Sequence, residues 1–196
     1  MFVKQFLFSS AACVLATACA TIPLTSMYKL RKFDLTTTDI AVLRVAVQKP
    51  RYIGISKGGA KMVVSAEKKD GSYSQSQDFV LDELPEGSVD ASQLPNPVKW
   101  SDISGYRIAL KDIGRLRALR MNIAQMKKQH GDQIAGSLSV SVEGCTRMAP
   151  PDGPVPITVW IKSEETEQYV VLLENIDLRQ IMTQGNQSME LRPCKN

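Results

Sequence analysis

Across most of this chain apolar and polar residues alternate with a period of two, and that pattern admits few architectures. Leu43, Val45 and Val47 alternate with Arg44, Ala46 and Gln48 until Pro50 interrupts the run. This predicts a strand from about Ile40 that buries one face. Lys61–Lys69 and Ser72–Asp82 flank Asp70-Gly71, a dipeptide that tolerates positive φ, so the pair predicts a β-hairpin with a tight turn. Gly58-Gly59 follows Lys57 but lacks the remaining residues of a phosphate-binding loop, and it reads as a turn before the Lys61 strand. Tyr106, Ile108 and Leu110 alternate as a short strand. Leu138, Val140 and Val142 alternate with Ser137, Ser139 and Ser141 as a half-exposed strand ending near Cys145. Ile157, Val159 and Ile161, a charged turn at Glu164, Glu165 and Glu167, and a return through Tyr169–Leu173 predict a second hairpin, with Ser188–Arg192 as a last edge strand.

One segment changes period. Leu116, Leu119, Ile123 and Met126 fall three, four and three apart, which places them on one face of a helix. Asp112 can cap its start, and it runs to about Gln129 with His130-Gly131 at its end. Strands in runs around a single helix predict an α+β fold: mainly antiparallel β, sandwich-like or a curled sheet, with one amphipathic helix. A doubly wound sheet is disfavoured because strands and helices do not alternate. Leu84–Ser104 holds Pro85, Gly87, Pro95 and Pro97 and reads as a long connection packed down by Trp100, and Met148–Pro156 reads as another loop.

The N-terminus carries an address. Lys4 precedes an apolar stretch from Phe6 to Ala16, and small residues follow. About ten apolar residues run together where a bilayer span needs about twenty, so the stretch fits an export signal. It ends Leu15-Ala16-Thr17-Ala18-Cys19, and on these residues it resembles a bacterial lipoprotein signal, although Ala16 stands where that family favours leucine. The resemblance implies that 1–18 is a lipoprotein signal peptide and that Cys19 is diacylated on sulfur, with cleavage then exposing its amine for a further chain. Residues 19–39 would be the lipidated N-terminus and tether, and 40–196 a single β-rich exported domain. Two or three acyl chains hold a protein on a membrane where one does so marginally. Ala20 is not the aspartate that retains enterobacterial lipoproteins at the inner membrane, which favours the outer membrane, facing the periplasm or the surface. The alternative is ordinary secretory cleavage after Ala18 or Ala20, leaving a soluble periplasmic protein. In the tether, Lys29, Arg31 and Lys32 are read as a solvated cluster, or else as charges lying against anionic headgroups. The run Tyr28-Lys29-Leu30-Arg31-Lys32-Phe33-Asp34 followed by Leu43-Arg44-Val45-Ala46-Val47 is similar to small uncharacterised envelope lipoproteins of alphaproteobacteria. That likeness implies a location and no activity.

Of four cysteines, Cys13 would leave with the signal and Cys19 would take the lipid, so Cys145 and Cys194 remain. In an oxidising compartment the simplest expectation is a disulfide, closing a loop of about fifty residues and stabilising the chain by roughly 4 kcal/mol. Two separate thiols are the alternative. Two cysteines and His130, the single histidine, cannot furnish an ordinary four-ligand zinc site, so no metal and no cofactor are expected.

The net charge of +4 is a mild excess without a concentrated basic stripe or a stacking platform, which argues against nucleic-acid binding. The most suggestive feature of the body is the other face of the helix, where Arg115, Arg117, Arg120, Lys127 and Lys128 occur with no acidic residue between Asp112 and Asp132. These five could meet an anionic lipid, a lipopolysaccharide or an acidic partner. The plainer reading is a solvated helix face, with Lys127 and Lys128 complementing the helix dipole. Catalytic chemistry is nearly absent by this reading. His130 sits at a helix end, no serine or cysteine lies in a nucleophile-elbow context, and the three glutamates form a solvated turn without EF-hand spacing. The expectation is therefore a membrane-anchored envelope lipoprotein with a non-enzymatic binding or structural role, its partner an envelope protein or an anionic glycolipid. The alternative is a periplasmic small-molecule or lipid carrier using the space between sheet and helix. A hydrolase is a distant third.

Overall fold

The computed structural model describes residues 24–95, 98, 101–149, 152–179 and 191–194. In chain order these form α1 (Leu24–Leu30), β1 (Arg44–Pro50), β2 (Ile53–Lys68), β3 (Ser74–Glu83), β4 (Ser101–Ile108), α2 (Ile113–His130), β5 (Ile134–Thr146), β6 (Pro156–Lys162) and β7 (Val170–Asp177). The strands make one antiparallel sheet in the order β5-β2-β3-β4-β1-β6-β7, curled around α2, so the chain is α+β with a mainly antiparallel sheet and one long helix. Long strands twist, and a sheet of this many strands curls to cover its own apolar face and the helix laid against it.

The first hairpin is the one its sequence specifies. Lys61 pairs with Val80 and Glu67 with Ser74, and the turn at Asp70-Gly71 places Gly71 at φ 74°, where a side chain would be strained. The strand that leads into it is longer than expected. β2 begins at Ile53, and Gly58-Gly59 is an irregularity inside it, where the register against β5 shifts between Ile55 and Ala60. The second hairpin also forms, with Ile161 opposite Val170.

β1 departs from the expectation of one buried face. It lies between β4 and β6, and Ala46, Gln48 and Lys49 are buried as fully as Val45 and Val47. The cause is a core on each side of the sheet. The larger one joins Val45, Val47, Met62, Val64, Phe79, Tyr106 and Ile161 to Leu116, Leu119 and Ile123 of α2, with Met126 partly buried beside them. On the opposite face Ala46, Leu94, Trp160 and Tyr169 form a smaller cluster with Val89. The long connection between β3 and β4 supplies Val89 and Leu94, so this loop is a lid on a second core. Trp100 lies outside the described residues.

Two further expectations are corrected by packing. Leu110 ends no strand: it sits in a 3-10 turn and is 68% exposed. Asp112 occupies the N-cap position of α2 without capping it. Its buried carboxylate instead accepts from the Val80 amide at 2.8 Å and from Arg115 Nη1 at 2.7 Å. At the chain end, Thr146 donates to the Arg192 carbonyl, Cys194 donates to that of Thr146, and Cys145 is bonded to Cys194 at 2.07 Å. The Ser188–Glu190 part of the expected edge strand lies outside the described residues.

Candidate functional site

The segment read as a tether brings the site together. Its basic residues Lys29, Arg31 and Lys32 are exposed as expected, yet Leu30, Phe33 and Leu35 pack against the main core and Thr38 is buried. Apolar side chains at this spacing leave water wherever a hydrophobic surface is in reach, and the end of α2 with β2 and β5 offers one. Asp34 folds the segment back on itself, accepting from the Thr36 amide and hydroxyl at 2.8 Å each. Burial works to raise the Asp34 pKa, but these bonds and Lys127 outweigh it and hold the carboxyl below its ordinary value. Thr38 Oγ1 donates to Glu165 Oε2 at 2.9 Å, so the acidic turn of the second hairpin also holds the segment rather than standing only in solvent.

α2 then divides its five cations among different tasks. Arg120 Nη2 donates to the carbonyls of Thr36 and Thr38 at 2.9 and 2.8 Å. Lys127 pairs with Asp34 at 3.5 Å. Arg115 is held by Asp112, donates to the Asp78 carbonyl at 3.1 Å and stands over the Phe79 ring. Arg117 and Lys128 project into solvent on the far side of the helix. The five therefore do not form one continuous anionic-partner face: three are engaged within the fold, and two of those three line a cleft.

That cleft lies between residues 31–36, the C-terminal half of α2 and the ends of β2 and β5, with a volume of about 350 Å³. Phe33, Leu35, Val64, Ile123, Ile134 and Leu138 form its floor and walls, and Arg31, Lys32, Arg120 and Lys127 stand around it with Asp34. Of the sequence-derived stripe Leu116, Leu119, Ile123 and Met126, Ile123 reaches the cleft, whereas Leu116 and Leu119 are sealed in the core. Two of the five helix cations, Arg120 and Lys127, and one residue of the apolar stripe, Ile123, thus share one cleft. Phe33 and Leu35 were the signal for it, inside a segment whose charges read as a solvated linker or as a contact with anionic headgroups.

The remaining candidates resolve simply. Cys19 and the signal lie outside the described residues. His130 is the last residue of α2. Among the described residues no group of three or more His, Cys, Asp or Glu side chains could hold a metal ion, and no helix is long and apolar enough to cross a membrane. Comparison with protein families, with curated proteins and with solved structures finds no match for the chain.

Proposed function

We propose that the chain is a membrane-anchored envelope lipoprotein whose β-rich domain binds an anionic amphiphile, the headgroup and first methylenes of a lipid or glycolipid. The cleft carries this reading, because it places cations over an apolar floor within one opening. Such a ligand divides its own chemistry the same way. Each methylene taken from water contributes about 0.8 kcal/mol, and each cation near an anionic headgroup about 1 kcal/mol.

Chain reach supports the anchor. α1 begins at Leu24, so a lipidated Cys19 is separated from it by five residue steps, which span at most about 18 Å. A cleft built partly from residues 31–36 would then lie close to the membrane surface. Metabolic labelling with palmitate, comparing the parent with Cys19→Ser, tests the anchor. Label and membrane fractionation confined to the parent are expected. An unlabelled soluble product would replace the anchored reading with a diffusible periplasmic carrier.

Displacement of an apolar dye tests the cleft. Lysophosphatidylglycerol is expected to displace the dye at about ten-fold lower concentration than lysophosphatidylcholine, the equivalent of about 1.4 kcal/mol. Arg31→Glu with Lys32→Glu should erase that preference without unfolding the domain, since both side chains are exposed. A folded protein indifferent to both amphiphiles would remove the lipid ligand and leave an envelope protein as the partner.

A further inference from the structure

A second polar group lies on the helix-side face of the sheet, far from the cleft. On β3, Gln77 pairs with Val64 at the cleft, while Glu83, about 20 Å further along, pairs with Tyr106. Beyond it the β1–β4 register sets Val45 opposite Tyr106, Val47 opposite Ser104 and Lys49 opposite Asp102. Alternation puts all of these side chains on the face that Val45 and Val47 bury, and Lys49 is 3% exposed there.

A buried ammonium is normally matched by a carboxylate. Among the described residues none lies within 4.0 Å of Lys49 Nζ. Asp102, opposite Lys49 in the β1–β4 register, is engaged by Arg147 at 3.3 Å and Arg51 at 3.6 Å. The partner Lys49 does have is Ser104 Oγ, at 3.1 Å. Burial lowers the Lys49 pKa; Asp102 opposes it more strongly than Arg147 adds to it and Glu83 opposes it least, and the net direction is down. Tyr106 stands beside this pair. It is 2% exposed, and among the described residues its hydroxyl makes no hydrogen bond of good geometry, although Ser104 lies close enough to act on it as a hydrogen-bonding group and Glu83 and Arg147 act on its ionisation. Burial and then Glu83 push that ionisation up, so the hydroxyl stays a donor. Ser104 itself is only partly buried, whereas Lys49 and Tyr106 are buried.

We propose that Ser104 and Lys49 form a nucleophilic dyad acting on carboxylic esters, with the Tyr106 hydroxyl as donor to the oxyanion. A serine hydroxyl is a weak nucleophile until a base takes its proton, and an uncharged lysine amine is one such base. Ser104 Oγ bonds to the acyl carbon as its proton passes to Lys49 Nζ, and the carbonyl oxygen becomes an oxyanion facing Tyr106. Collapse breaks the ester C–O bond, the departing alkoxide takes the proton from Lys49, and an acyl-serine remains. Water then attacks the acyl carbon, gives its proton to Lys49, and the acid leaves as Ser104 Oγ is reprotonated. The sum is ester plus water to acid plus alcohol, with no other co-reactant. This activity is independent of ligand binding in the cleft, and neither reading fails with the other.

The full chain, with its disulfide intact, is treated with a fluorophosphonate and the adduct mapped by mass spectrometry. A single adduct on Ser104 is expected, forming faster with rising pH and levelling off below the ordinary lysine value of about 10.4. Lys49→Met should slow it about 100-fold. Lys49→Arg should do the same, since it keeps the charge and the hydrogen bond but offers no basic lone pair. Hydrolysis of p-nitrophenyl butyrate should vanish in Ser104→Ala and fall about 100-fold in kcat in Tyr106→Phe. No adduct on Ser104, or labelling at an unchanged rate in a folded Lys49 variant, overturns the proposal. The wild-type pH profile decides the matter if neither Lys49 variant folds, because a rate that climbs without a plateau up to about pH 10.4 also overturns it.

Discussion

Asp112 shows how one side chain can be placed correctly and assigned the wrong work. Its position before α2 is what an N-cap requires, but its carboxylate turns to the β3 amide of Val80 and to Arg115. It ties helix to sheet. Replacing it by alanine leaves the Val80 amide without its partner and takes from Arg115 its carboxylate, leaving it the Asp78 carbonyl and the Phe79 ring, so Asp112→Ala should cost about 2–3 kcal/mol in a urea titration. Asp112→Asn keeps one acceptor and should cost less. If the two variants were equally stable, the carboxylate would not be serving both donors. The sequence offered Asp112 and a helix start; it did not contain the direction of the side chain, which follows from where β3 lies.

At the scale of elements, the segment 31–38 depends on α2 more than on its own sequence. Two carbonyls meet Arg120, and hydrogen bonds to a charged group are worth about 1.5–3 kcal/mol. Arg120→Met should therefore raise amide hydrogen exchange across residues 31–40 well before it alters exchange in β2 or β6. Equal protection in parent and variant would show that the apolar contacts of Phe33 and Leu35 suffice. Acid should loosen the same segment. Burial acts to raise the pKa of both Asp34 and Glu165. Hydrogen bonds outweigh it, from Thr36 to Asp34 and from Ser163 and Thr38 to Glu165, and hold both below their ordinary values of 3.8 and 4.5. A carboxyl whose folded pKa is depressed contributes stability above its ordinary pKa and loses it as pH falls through the folded value. Docking of the segment should be constant from neutral pH down to about 5 and weaken below about 4, read as limited proteolysis between residues 29 and 39. The helix stripe and both hairpins were legible because their periods are local. The two-sided burial of β1 was not, since the same alternating text serves a one-sided strand until β4, β6 and the β3–β4 connection enclose it.

For the whole molecule the disulfide and its seat are one device. It joins positions 49 residues apart and fixes Arg192–Cys194 beside the last residues of strand β5. In the chain-entropy model, opening such a loop costs up to about 4 kcal/mol, so reduction should lower stability by about 2–4 kcal/mol. Gly54 on β2 makes room for it: a Cβ there would lie 2.7 Å from Cys194 Sγ and 3.0 Å from Cys145 Sγ. Bonded sulfurs cannot move aside, so Gly54→Ala should cost about 1–3 kcal/mol in the oxidised protein. The cost should shrink in a Cys145→Ser, Cys194→Ser background, where the smaller hydroxyls are free to rotate. An equal cost in both backgrounds would place the strain elsewhere in the sheet.

By itself the sequence determined the class of fold, the period and extent of the helix and the turn of each hairpin, and it left Cys145 and Cys194 as either a disulfide or two thiols. Each of the first three follows from neighbours in the chain. Only the tertiary structure decided that the tether's apolar residues close a cleft, that three of the helix cations serve the fold, and that Lys49 meets Ser104. Those contacts join residues far apart in sequence, and their partners are chosen by sheet register and curvature, which no local pattern encodes.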